Sequence, residues 1–228
     1  MKPKPAAFVL LPLCLTLSAF SNDPLQDMKA RMDQAAAKFN GMTADVEYVK
    51  YTDVLAEKTS QTGNLVIEKN KHGDVQALLN FTQPDPESVS FDKHIVRVYL
   101  PKIKTVNVYD FGKQAEQVEQ FVMIGFGTSG TELAQSYDMA ILGPDTVNGQ
   151  KTTKIELVPR SADVKKYVTK IELWVPQEGD PYPIQEKVYQ PSKDYQVSIY
   201  SNLRINPKLP PDAVKLKTPP DVKIVNQK

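Results

Sequence analysis

Three glycines, Gly125, Gly127 and Gly130, spell G-x-G-x-x-G. That spacing lets a backbone approach a pyrophosphate at a helix N-terminus, but only when a strand precedes it and a long helix follows within a βαβ unit. Here a helical stretch, Gln114–Ile124, precedes the glycines, and Thr131–Ser136 makes only a turn or two after them. The three glycines therefore read as a flexible hinge between two short helices rather than a phosphate cradle. His72 and His94 are the only histidines, both fall at expected hairpin tips, and their spacing is not that of a metal pair. Neither a G-x-S-x-G elbow nor an H-E-x-x-H helix occurs. Asp45, Glu47, Glu68, Glu156, Glu172 and Glu186 occupy alternate positions of expected strands, where a solvated outer face would put them. A glycosidase-type carboxylate pair is the one catalytic arrangement left open, since any two of these could meet in space. With no convergent motif, the expectation is a protein that is not an enzyme and needs no cofactor or metal.

The start of the chain sets its destination. Lys2 and Lys4 precede an apolar run from Ala6 to Phe20, and Ala19 and Ser21 are small enough for cleavage before Asn22. A basic start, an apolar stretch shorter than a membrane span and a small-residue exit describe a secretory signal peptide, here residues 1–21. Cys14 is the only cysteine and lies within it, preceded by Leu13, which is too large for a lipoprotein cleavage site. The mature chain, residues 22–228, then has no thiol for a disulfide, a metal site or a nucleophile. At roughly 200 residues it fits one β-rich domain, and no long linker or internal repeat divides it. With 28 basic and 27 acidic residues in the whole chain, loss of Lys2 and Lys4 turns the formal charge from +1 to −1. The charges are interspersed, so neither nucleic acid nor an anionic lipid surface is an expected partner. A soluble monomer is expected.

The elements are mostly strands. In the run from Leu78 to Asp110, Phe81, Val89, Phe91, Val96, Val98, Val106 and Val108 alternate with polar residues, the pattern of a sheet with one apolar face. Pro84-Asp85-Pro86 and Pro101 interrupt it, and Asp92-Lys93 marks a hairpin tip. Further strands are expected at Ala44–Tyr51, Asn64–Lys69, Val75–Thr82, Tyr137–Leu142, Thr152–Val158, Val168–Val175, Pro183–Tyr189 and Tyr195–Leu203, with a type I′ turn at Asn148-Gly149. About eleven strands without βαβ alternation predict a large curved antiparallel sheet. Asp23-Pro24-Leu25-Gln26 opens a helix, with Asp23 as N-cap and Gln26 completing a capping box, and Leu25, Met28, Met32, Ala35, Ala36 and Phe39 recur at helical spacing. Between Gly112 and Ser136 the helical insertion ends in Phe121, Val122, Met123, Ile124 and Phe126, more apolar bulk than one helix face buries. Phe121, Val122, Ile124 and Phe126 are therefore expected to face a cavity whose opposite wall is Leu79, Phe81, Val96, Val98 and Trp174.

The order of these segments resembles the LolA-type family of outer-membrane lipoprotein carriers. Asp92, Tyr99 and Pro101 hold the turn Asp, the Tyr and the Pro of the family's W-x-Y-x-P hairpin, while Lys93 and Arg97 replace its Gly and Trp. Gly63-Asn64-Leu65 resembles its G-x-L strand, Leu157-Val158-Pro159-Arg160 its L-x-P-[KR] segment, and Asn206-Pro207-Lys208-Leu209 with Pro220-Asp221-Val222-Lys223-Ile224 its ending, where Asp221 replaces a glycine. The resemblance covers nearly all of the mature chain. It implies an α+β fold: an unclosed antiparallel β-barrel of about eleven strands, covered by an N-terminal helix and a helical lid. It also implies a periplasmic carrier of acylated lipoproteins, with an inner-membrane transporter loading it and an outer-membrane acceptor unloading it. Lys69 falls where the family places the arginine that latches the lid. The same fold also serves carriers of other envelope lipids and lipoprotein-sensing regulatory modules.

Overall fold

The computed structural model describes residues 23–70 and 73–227; the expected signal segment, Cys14 and His72 lie outside them. Helix α1 (Pro24–Ala36) is followed by β1 (Gly41–Thr52), β2 (Glu57–Lys69), β3 (Val75–Gln83), β4 (Glu87–Asp92), β5 (Ile95–Leu100) and β6 (Thr105–Asp110). Helices α2 (Ala115–Val122) and α3 (Gly130–Ser136) interrupt the strands, which resume with β7 (Tyr137–Val147) and β8 (Gln150–Pro159). A single turn, α4 (Ala162–Lys165), precedes β9 (Lys170–Pro176), β10 (Gln185–Tyr189), β11 (Tyr195–Ile205) and β12 (Lys223–Gln227). The 12 strands form one sheet in the order β12-β6-β5-β4-β3-β2-β1-β11-β10-β9-β8-β7, so β12 and β7 are edges and the barrel is open.

The sheet departs from the expected one at β12, which pairs in parallel with β6, Ile224 opposite Val106. The remaining ladders are antiparallel, and Asn148 and Gly149 both take positive φ in the turn between β7 and β8. Val106 and Val108 also depart from expectation. Val106 is opposite Tyr99 and Val108 opposite Arg97, which puts both on the convex face, and residues 211–224 cover that face.

Alternation separates two apolar clusters on the concave side. Ile155, Leu157, Ile171, Leu173 and Val175 from β8 and β9 are fully buried under Met28 and Met32 of α1. Burial of each aliphatic side chain contributes about 1.5–3 kcal/mol. In strand order the β8–β9 group is the second cluster; the first, from β1 to β4, joins Met42, Ala44, Val46, Ile67, Val75, Ala77 and Phe91 to Phe39. Helix α1 starts where expected, with Pro24 at its first position and the Asp23 carboxylate accepting from the Leu25 amide at 3.0 Å. Gln26 does not close a capping box; its side-chain carbonyl accepts from Lys29 Nζ at 3.3 Å instead. The capping box lies at α3, between Ser129 and Glu132.

Helix α1 is fixed across the open barrel by three polar ties. Arg31 donates to the carbonyls of Pro176 and Gly179, both at 3.1 Å, and the Tyr182 hydroxyl donates to the Ala35 carbonyl at 3.1 Å. On the lid side, Asp33 accepts from the Thr131 amide and hydroxyl, each at 2.8 Å. A Cβ on Gly130 would lie 2.6 Å from Lys29 Cα, so glycine lets α3 dock on α1. Gly127 does the same for the loop, since its Cβ would meet Met123 Cε at 2.0 Å and Phe39 at 3.0 Å. Close packing is thus the structural use of these glycines, in a segment with helices on both sides.

Candidate functional site

The concave wall is built by register. Leu79 pairs with Val89, which pairs with Val98; Ala77 pairs with Phe91, which pairs with Val96. Leu79 and Val96 pack against the first apolar cluster, and Phe81 meets the Tyr48 ring at 5.6 Å. Leu79, Phe81, Val96 and Val98 therefore share one face. Apart from Phe81 they are only half-buried, so this concave stretch is not filled core.

The lid packs against the same apolar cluster. Val122 packs against the first cluster, while Ile124 and Phe126 are each 1 % exposed. Phe126 belongs to the first cluster and Ile124 to the second, so the loop after α2 bridges both. The Phe126 ring stands edge-on to Tyr200 at 4.9 Å and stacks with Tyr182 at 6.5 Å. Phe121 is turned outward and remains exposed.

Trp174 is not on this wall. It alternates with Leu173 and Val175, which face the core, and stands on the convex face. There its indole N–H donates to Asp145 at 2.8 Å and Lys154 lies over its ring at 4.8 Å. Beside it the half-buried Lys170 bonds Glu156 at 2.9 Å and Glu172 at 2.8 Å, and the Tyr189 hydroxyl donates to Glu172 at 3.0 Å. Burial pushes the Glu172 carboxyl up, but Lys170, Tyr189 and Lys154 outweigh it and hold it below its usual range. Glu172 is thus a carboxylate neutralised by a local ion network, and Asp45 and Glu47 are solvated as expected. Arg97, standing at the family's Trp position, also faces the convex side, in a groove of about 490 Å³ beneath residues 211–222.

Glu186 breaks the expected pattern. It pairs with Leu173 and Ser198 and shares the parity of the buried Val188, so it points into the barrel. Its Oε2 accepts from the Tyr200 hydroxyl at 3.4 Å. The residue as a whole is only half-buried, but burial of the carboxyl pushes its pKa up to about 7, opposed by the Tyr200 bond. Tyr200 is raised well above the usual phenol by its own burial and by Glu186, and Tyr137 is raised by burial and the same carboxylate. Glu87, opposite Phe81, is a second inward carboxyl raised by burial. Tyr48 is pushed up to about 12 by burial, with Glu87 adding to it. The signal lay in Ile184-Gln185-Glu186-Lys187-Val188, where Glu186 takes the apolar parity.

Lys69 ends β2, its amide donating to the Asn40 carbonyl at 2.8 Å. Its exposed side chain borders a cavity of about 460 Å³ under the lid, with Val75, Met123 and Gly127 and the lid carboxylates Glu119 and Glu132. Among the described residues its ammonium makes no hydrogen bond to a lid carbonyl; the Met123 carbonyl accepts from Phe126 and Thr128 instead. His94 is an exposed turn residue 3.9 Å from Asp110. Among the described residues no three His, Cys, Asp or Glu side chains are grouped to hold a metal, and no helix is long and apolar enough to cross a membrane.

No family model and no curated protein matches the chain. Solved structures do. An uncharacterized conserved protein from Thermus thermophilus superposes with a TM-score of 0.55 at 11% identity, over 90% of this chain and 100% of that one. MucB superposes with a TM-score of 0.53 at 14% identity, over 88% of this chain, which spans 65% of MucB's length. A LolA superfamily protein from Nitrosomonas europaea also matches, with a TM-score of 0.41 at 11% identity over 84% of this chain and 97% of that one. The chain shares its fold with the Thermus thermophilus protein and with MucB.

Proposed function

We propose that the protein is a periplasmic carrier, a single domain over residues 22–228 released from a cleaved leader, which shields the acyl chains of lipoproteins on their way to the outer membrane. An inner-membrane transporter would load it and an outer-membrane acceptor unload it. The observation that supports this reading is the concave stretch of Leu79, Phe81, Val96 and Val98, taken as a trough left half-open beside a lid whose Ile124 and Phe126 fill its closed end.

The lid residues stand where an acyl chain would go. Exposing Ile124 and Phe126 costs about 1.5–3 kcal/mol each, whereas burying an acyl chain recovers about 0.8 kcal/mol per methylene, so a chain of lipid length displaces them. Release needs the reverse, which requires open and closed lids of similar free energy. Lys69 serves here as a loose latch, its ammonium attracted by Glu119 and Glu132 from the lid helices. A point charge makes a weaker clasp than an arginine fork.

Native mass spectrometry of the protein taken from its own periplasm tests the proposal. A bound lipidated protein supports it. Free lipid alone would redirect the reading to a lipid carrier, a membrane signalling protein to a sensor, and an empty protein would refute the carrier role.

A further inference from the structure

A carboxyl inside an apolar trough is costly unless a partner meets it. Glu186 has no basic partner: among the described residues it forms no ion pair, and its one hydrogen bond is the long one from Tyr200. The groups beside it are Leu173 on β9 and Ser198 and Tyr200 on β11, and Tyr137 at the start of β7 is near enough to feel its charge; none of them is cationic. From the lid, the ring of Phe126 leans on Tyr200, and Glu87 supplies a second carboxyl to the other wall. Displacing Phe126 therefore opens an acidic spot at the closed end of an otherwise apolar channel.

We propose that Glu186, with Tyr200 and Tyr137, reads the polar head of the cargo and selects amphiphiles whose head donates hydrogen bonds, an ammonium above all. The inference rests on the reading that the trough holds the acyl chain, and adds where the head lies and what chemistry it has. A donor head supplies what Glu186 lacks. A carboxylate or phosphate head would sit against one or two acidic groups without a counter-charge, which disfavours it.

Binding of dodecylammonium, dodecanol and dodecanoate to the mature protein, followed by calorimetry at about pH 8, tests this with the tail held constant. The expected order is ammonium, alcohol, carboxylate, with ammonium favoured over carboxylate by at least tenfold. Glu186→Gln should collapse that ratio toward one, while Glu47→Gln, at a solvated convex position, keeps it. In the wild-type protein the preference should also fade as the pH drops below about 7, when Glu186 takes up its proton. Equal affinities in the wild type, or a ratio that survives Glu186→Gln, would overturn the head-reading role and leave the trough reading intact. If none of the three amphiphiles binds, both fall.

Discussion

Replacing Glu186 with glutamine keeps the size of the side chain and its hydrogen bond with Tyr200 but removes a charge the fold holds at a disadvantage. Burial raises the carboxyl from 4.5 to about 7 in the folded chain. Between those values the folded state binds more protons than the unfolded state, so wild-type stability falls as pH rises from about 4.5 to about 7 and levels off above. At about 1.4 kcal/mol per pH unit the shift corresponds to about 3 kcal/mol, and the partial exposure of the residue reduces it to about 2. Glutamine cannot ionise. The variant should therefore be about 2 kcal/mol more stable than wild type at pH near 8 and about equal to it at pH near 4.5. Urea unfolding of both proteins at each pH measures this, and taking the difference cancels Glu87 and every other shared titration. A variant-minus-wild-type difference that does not change with pH would refute the burial of Glu186.

Three further outcomes follow from named contacts. Gly63→Ala places a Cβ 1.9 Å from the Asn80 carbonyl oxygen between β2 and β3; backbone cannot yield there cheaply, so the thermal midpoint should fall by several degrees. Lys170→Met leaves Glu172 buried with only Lys154 and Tyr189, at a cost of up to about 3–5 kcal/mol, and chemical denaturation should show the loss shrinking as acid protonates Glu172. Trp174 is the only tryptophan and lies on the convex face, so its emission should stay constant during amphiphile titration yet change in Asp145→Ala, which removes its hydrogen-bond partner.

The sheet and its lid were legible because alternation, Asn148-Gly149 and the Leu78–Asp110 run are local signals, and each strand named from them exists with somewhat different ends. The concave wall followed from parity at Leu79, Phe81, Val96 and Val98. Parity also explains the failures. In Ile171-Glu172-Leu173-Trp174-Val175 both faces are bulky, and only the partner strands show that Trp174 takes the convex one. Glu186 carries a charge in a strand whose phase, set by Ile184 and Val188, turns it inward, so residue type and parity point opposite ways. Strand β12 is short and polar and pairs in parallel with β6, more than a hundred residues away in sequence, which no local pattern announces. The covered convex face at Val106 and Val108 was hidden for the same reason. The Ser129-x-x-Glu132 capping box is a local signal too, overlapped by the G-x-G-x-x-G spacing.

The central claim, that the concave trough is where an acyl chain lies, is tested most directly by photo-crosslinking the mature protein with a diazirine-bearing fatty acyl probe and mapping the labelled peptides. Labels on residues 77–81, 89–98 and 122–126 are predicted. Labels on 106–108 and 214–224, the lining of the convex groove, or labelling spread evenly over the surface, would contradict the account.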